Sequence, residues 1–323
     1  MSLRLEMLQV ARLAPKLLGD STELVEKFLR SQQNDDGGFK DRSGRSDLYY
    51  TVFGLEGLLA LVGTSSTSSL TEKEVGRGGT RPDHDHRIAD AFDKAAEFLS
   101  NFGDGDNLDF VHVCALARCW AGLETFFKTS NLDSQTRLAL AEKIEGHRTA
   151  DGGYNQIAGN KFGTTYGCFL AVGAYQDLKL EIPEPLRVVQ SLKFLETDDG
   201  AWVNDRNLNI GSTNATAAAI TTLRQLQMPI HPRAGEWLLQ RAQPGGGFLA
   251  MPNAPMPDLL STATALHALA GLQIPFESVK EDCLDFIDSL WTNEGGFCGS
   301  WADATLDCEY TYYGLLALGH LSL

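Results

Sequence analysis

The 323-residue chain lacks any run of apolar residues approaching the roughly 18 that a spanning helix needs, and its first residues lack a charged segment followed by a long apolar one. Neither a membrane span nor a secretory leader is expected, and the chain reads as a soluble, cytoplasmic protein. Basic residues are scarce: 27 Lys and Arg stand against 42 Asp and Glu, for a net charge of −15. Such a surface repels nucleic acid and anionic membranes, so an anionic ligand would need a local basic pocket. The six cysteines (Cys114, Cys119, Cys168, Cys283, Cys298, Cys308) show no paired CxxC spacing and lie mostly in apolar stretches. They point to free buried thiols rather than to disulfides or a metal site. What the chain does have is a hydrophobic share of 43%, ample for a sizeable core at this length.

It also has a repeat. Small residues followed by an aromatic recur at Phe39 in DDGGF, Tyr154 in ADGGY, Trp202 in DDGAW, Phe248 in PGGGF and Phe297 in NEGGF, the last four spaced by 48, 46 and 49 residues. The 115 residues from Phe39 to Tyr154 fit two periods plus an insertion. A degraded turn, FGDGD at 102–106, supplies the missing unit, and the Ser-, Thr-, Gly- and charge-rich stretch at 64–87 is the polar insertion. An aliphatic residue ten positions before each aromatic (Leu29, Ile144, Leu192, Leu238, Ile287) marks a first helix. Thr51, Thr165, Thr216, Thr262 and Thr311, with His112 in the degraded unit, mark the start of a second. Three residues on comes a small side chain (Gly54, Ala115, Cys168, Ala219, Ala265, Gly314) and four on a large apolar one, which together define one helix face. The small residue is expected to let a neighbouring helix approach closely.

Each unit is helix, glycine-rich turn, helix, with apolar surface that it cannot bury alone, so the units must stack. An open solenoid and a closed ring both satisfy this. Six units of this size favour the ring: an all-α fold, an α6/α6 barrel with the second helices inside and the last unit beside the first, residues 1–323 forming a single domain. Residues 1–19 form an extra amphipathic helix suited to capping it. In the turns, glycine supplies φ > 0 and the aromatic plugs the turn against the core, which makes Asp36, Asp151, Asp199 and Glu294 turn residues.

Six helix pairs with QxxDGGF-type turns, Gln32 to Phe39 here, resemble the prenyltransferase and squalene oxidase repeat of protein prenyltransferase β subunits and squalene-hopene-type terpene cyclases. The resemblance runs from about residue 20 onward. It implies an isoprenoid held in a central apolar cavity and, by analogy with the β subunits, a helical α-subunit-like partner. It also implies that Arg42 and Arg45, three and six residues after GGF, bind the isoprenoid diphosphate together with Tyr50. The aspartate zinc ligand of that family matches Asp47, Asp258 or Asp307. Its cysteine position holds Tyr49, Leu260 or Glu309 here, and its histidine position Tyr50, Ser261 or Tyr310. With those ligands missing from every candidate unit, no zinc is expected, nor a zinc-held thiolate acceptor. The Asp-rich DxDD-type motif of the cyclases is absent as well.

Chemistry on a prenyl diphosphate needs cations for the leaving group, an apolar cavity for the chain, and aromatic faces that tolerate an allylic cation. Arg42, Arg45 and the helix N-terminus near Tyr50 suit the diphosphate; the two arginines equally suit ion pairs with Asp41 and Asp47 in a polar loop. Tyr50 with Phe53, and Tyr310 with Tyr313, form stripes that ring closure makes neighbours. With Tyr49, Tyr166 and Trp202 these are candidates for a substrate wall, against the alternative of core packing. Asp307 and Glu309, with Asp47 across the closure, would gather an acidic group near the arginines. It could carry the Mg²⁺ of a diphosphate, act as acid or base alongside Tyr50 and Tyr310, or form a solvated rim. His112 fits a helix start better than a ligand, and the DHDH run at 83–86 falls in the insertion. The leading expectation is a bacterial-type, β-subunit-like protein that binds an isoprenoid and transfers or cyclises it without zinc or another cofactor. A non-catalytic interaction module and a glycan-active barrel using Asp47 with Glu309 compete with it.

Overall fold

A computed structural model of the chain describes residues 1–62, 82–130 and 132–323, with the side chains of 82–86 outside that description. Most of the expected insertion at 64–87, and the DHDH side chains within it, therefore lie outside the described residues. The end of that stretch is helical, because an outer helix begins at Pro82.

Among the described residues, six outer helices, α3 (Thr22–Ser31), α5 (Pro82–Ser100), α7 (Ser134–Glu145), α9 (Pro185–Lys193), α11 (Arg233–Leu239) and α13 (Lys280–Ser289), alternate with six inner ones. The inner helices are α4 (Leu48–Leu61), α6 (Phe110–Phe127), α8 (Thr165–Asp177), α10 (Thr213–Gln225), α12 (Leu259–Gly271) and α14 (Cys308–Leu321). Each inner helix packs on the next and α14 packs on α4, so the ring closes as an α6/α6 barrel. Helix α6 is long and apolar enough to cross a bilayer, which the sequence reading did not anticipate, but 61% of it is buried as part of the inner wall.

Every inner helix starts at a residue whose side chain accepts a backbone N–H from the first turn: Asp47, Asp109, Thr164, Ser212, Asp258 and Asp307. Four residues after the cap sits the recurring threonine. Its hydroxyl accepts the backbone N–H of its own unit's aromatic: Thr51 from Phe39 at 3.0 Å, Thr216 from Trp202 at 3.0 Å, Thr262 from Phe248 at 2.9 Å and Thr311 from Phe297 at 3.4 Å. The bond ties each turn to its helix. In two units the register differs from the sequence reading. Val113, not His112, stands four residues after the Asp109 cap, and Cys168, not Thr165, four after Thr164. The loops from aromatic to helix differ in length, so only the cap sets the register. The small residue three positions on also has another purpose than the spacing suggested. A Cβ on Gly54 would lie 2.1 Å from the Phe39 ring and one on Gly314 2.7 Å from the Phe297 ring, so it makes room for the unit's own aromatic plug.

Glycine is required in the turns because they lie on the next unit's outer helix. Gly37 and Gly295 have φ of 90° and 94°. A Cβ on Gly37 would stand 2.0 Å from the Lys94 carbonyl oxygen of α5, and one on Gly295 2.2 Å from that of Leu24 in α3. The second contact closes the ring from outside. Among the described residues three short antiparallel hairpins, which the repeat did not foretell, shape the rim: β1 (Phe39–Lys40) with β2 (Ser46–Asp47), β3 (Phe248–Leu249) with β4 (Pro257–Asp258), and β5 (Cys298–Ser300) with β6 (Asp303–Leu306).

The N-terminal helix α1 (Leu3–Ala11) packs on α4, α8 and α14 and closes the end of the barrel where the inner helices finish. Arg4 is fastened to Glu56 at 2.9 Å and Asp177 at 3.3 Å, the Leu3 amide donates to Gln176, and Glu6 binds Arg224 and Gln225. A shorter helix α2 (Pro15–Leu18) follows it. The six cysteines are free thiols, five buried and Cys298 half-buried.

Candidate functional site

Closing one end leaves a chamber open toward the N-terminal ends of the inner helices. Its volume is about 340 Å³, within the range of small-molecule sites. The walls are apolar and aromatic, with Tyr49, Tyr166, Phe169, Tyr313 and Leu316 facing Ala215, Ala217 and Ala218. Asn204, Ser212, Asn214, Thr264 and Glu309 supply its polar points. A second lobe of about 70 Å³ shares Met7, Tyr49, Tyr166, Phe169 and Tyr313 with the chamber and adds Phe53, Arg118 and Asp177.

The seam between the last unit and the first builds the most distinctive group. Glu309, two residues past the α14 cap, accepts a hydrogen bond from the Tyr49 hydroxyl at 2.6 Å. Burial lifts its carboxyl from 4.5 to about 6, with nearby Asp307 adding to the effect. Burial likewise raises Tyr49 and Tyr313 well above the ordinary phenol value and Tyr166 to about 12, so all three rings are neutral phenols at physiological pH. Phe53 stands 5.0 Å from Tyr49 and 5.5 Å from Tyr313, centroid to centroid, and the belt runs continuously across the closure.

The other sequence candidates divide. Tyr49, Tyr166, Tyr313 and Glu309 line the chamber and Phe53 the second lobe. Arg42 is spoken for: its guanidinium binds Asp307 at 3.0 Å and Asp303 at 2.9 Å and sits over the Tyr310 ring at 5.3 Å. Burial raises Asp307 above its usual value, with Asp303 adding to the effect and Arg42 opposing it, and burial with the Asp307 and Glu309 charges raises Tyr50 to about 12. Arg45 points to solvent, 82% exposed, and pairs with Asp41 rather than facing the axis. The expected pair of cations at the mouth is therefore not assembled. Asp47 does not join Asp307 and Glu309 either. Its Oδ1 caps α4 through the Tyr49 and Tyr50 amides, and its Oδ2 lies 3.0 Å from His112 Nε2. His112 also stands 2.9 Å from Asp109, and these two acids raise it from 6.5 to about 9. Trp202 lies outside the chamber: it is 2% exposed, and its indole N–H donates to the Leu192 carbonyl of α9. It is a plug like Phe39.

Two features escaped the sequence reading. His267 of α12 lines the chamber, and its Nδ1 lies 3.0 Å from His320 Nε2; burial lowers His267 to about 4, so the pair is uncharged at neutral pH. No spacing in the repeat singled it out. Arg118 had a signal, since it is a cation inside the apolar run from Phe110 to Phe127. Among the described residues no three His, Cys, Asp or Glu side chains gather as a metal site would require.

The family model for the prenyltransferase α/α toroid domain matches residues 5–77 and 215–322, more than half of the chain. The chain belongs to this toroid family. Solved structures agree on the fold. The type II terpene cyclase MstE from Scytonema matches with a TM-score of 0.60 at 17% identity, over 94% of this toroid and 97% of the cyclase. A variant of that cyclase in complex with geranylgeranyl dihydroxybenzoate gives 0.61 at 14% identity, over 96% and 97%. Protein geranylgeranyltransferase-I from Candida albicans, complexed with GGPP, gives 0.53 at 15% identity, over 67% and 72%. Among curated proteins no sequence matches.

Proposed function

We propose that the chamber holds an isoprenoid chain and that Glu309 protonates it, so that the toroid isomerises or cyclises a polyene without a diphosphate leaving group and without zinc. The observation that carries this reading is the Glu309 carboxyl: half-buried, lifted to about 6, and placed on an apolar chamber walled by Tyr49, Tyr166 and Tyr313. Because Oε1 accepts the Tyr49 bond, the proton is available on Oε2. Its transfer to a terminal alkene carbon would leave a tertiary cation. The next double bond would attack that cation, closing a ring, and loss of a proton back to the Glu309 carboxylate would restore the acid with no net change in atoms or electrons. Tyrosine faces stabilise the cation in the interval. The mouth itself argues against diphosphate chemistry, since Arg42 is already held by two aspartates and Arg45 faces solvent. Support also comes from the fold's likeness to a cyclase complexed with a geranylgeranyl compound and to a transferase complexed with GGPP.

The test is calorimetry with C15 and C20 isoprenoids, as alcohols and as diphosphates, followed by product analysis in D₂O. Binding of the alcohols, with one solvent deuteron per product and loss of turnover but not of binding in Glu309→Gln, is the expected result. Heat from the diphosphates alone, or turnover that survives Glu309→Gln, would overturn the reading.

A further inference from the structure

The lobe at the closed end of the chamber contains a half-buried cation that nothing in the proposed chemistry uses. Arg118 is enclosed within the barrel, yet its Nε has no hydrogen-bond partner and its Nη2 lies 4.0 Å from the sulfur of Met7. Buried guanidinium groups are costly to leave unsatisfied, because each N–H gives up a strong bond to water. Its charged neighbours are Arg4, Glu56 and Asp177, and the Tyr312 hydroxyl also lies against it. Arg4 draws on both carboxylates at 2.9 Å and 3.3 Å. Asp177 also lines the lobe. Burial and the Glu56 charge push Asp177 up to about 7, so near neutrality the four groups carry a positive balance rather than a neutral one. The lobe's 70 Å³ suits a few waters or one carboxylate-sized group.

We infer that this lobe is a headgroup subsite: Arg118 receives an oxygen acceptor, foremost a carboxylate, on the polar end of a prenyl ligand that enters head first. The inference rests on the isoprenoid reading and adds its orientation. Arg118 lies nine residues past the Asp109 cap of α6, about 13 Å down the helix at the usual rise, whereas Glu309 lies two residues past its own cap. A head at Arg118 therefore leaves the far end of the tail beside Glu309, which is where a proton must be delivered to start ring closure from the end remote from the head. The charge that recognises the head then lies at the bottom, while Arg42 and Arg45 at the mouth are held by aspartates.

Three C20 ligands with the same tail test this, a hydrocarbon polyene, the alcohol and the carboxylic acid, each titrated at pH 7 by calorimetry into the full-length chain. The acid should bind at least about tenfold more tightly than the hydrocarbon, as a charge-assisted bond to a guanidinium whose Nε lacks a partner predicts. Arg118→Gln should erase that preference while leaving hydrocarbon affinity within about threefold, and Asp177→Asn should enlarge it. Equal binding of all three ligands, or a preference that survives Arg118→Gln, would overturn the subsite and leave the chamber reading intact. Binding of none of them would overturn both. Should Arg118→Gln fail to fold, Asp177→Asn decides: a larger acid preference supports the subsite, and an unchanged or smaller one refutes it.

Discussion

Replacing Glu309 by glutamine should make the protein more stable above neutrality, although it removes the acid on which the proposed chemistry depends. Glutamine keeps the oxygen that accepts the Tyr49 bond and fills nearly the same volume, so the change removes a titration and little else. In the folded chain the carboxyl is raised from 4.5 to about 6, mainly by burial. A folded value above the unfolded one means that the group's contribution is complete below about 4.5 and is lost as the pH rises through 6. The difference of about 1.5 units corresponds to roughly 2 kcal/mol by linkage, an order-of-magnitude figure. Wild type and Glu309→Gln should therefore unfold at similar urea concentrations at pH 4, and the variant should be about 2 kcal/mol more stable at pH 8. An acid kept at a cost in stability is what a working proton donor should look like. A Gln variant that loses stability at pH 8, or that differs from wild type equally at both pH values, would refute the reasoning: Glu309 would then be a structural carboxylate satisfied in its ionised form.

Two further outcomes follow from the frame around the chamber. Thr51→Val leaves the buried Phe39 amide without its acceptor, and should cost about 1–3 kcal/mol in urea unfolding; no loss would mean that the threonine-to-turn bond does not hold the unit together. His112 is raised from 6.5 to about 9 between Asp47 and Asp109, so its contribution is complete below 6.5 and lost as the pH rises through 9. With 30% of the side chain exposed and solvent screening the pair, about 1–2 kcal/mol should disappear between pH 7 and pH 10, and His112→Gln should flatten that slope.

The repeat made the scaffold legible because five of the six units solve one problem in the same way: an aromatic plugs the turn, small residues let the turn lie on the next helix, and a cap starts the inner helix. Where units depart from each other the same reasoning slipped. Counting from the aromatic placed His112 and Thr165 one and three positions short of Val113 and Cys168, because loop length varies while the fourth position after the cap keeps its place in the inner helix. The same sensitivity governs the site. One residue along a helix turns the side chain by about 100°, so Tyr50 and Tyr49, adjacent in sequence, diverge: Tyr50 goes to the rim beside Arg42 and Tyr49 into the chamber beside Glu309. Arg42 and Arg45 sit in a loop, where no periodicity says which way a side chain faces, and Asp303, which holds one of them, is 261 residues away in sequence. The carboxyl at the seam is illegible for the same reason, since its neighbours are set by closure of the ring, α14 against α4, rather than by any spacing within a unit. Arg118 is the exception that a sequence could have yielded. A charge in the middle of an apolar inner helix must meet either a partner or a ligand, and finding its Nε without the first is the reason to look for the second.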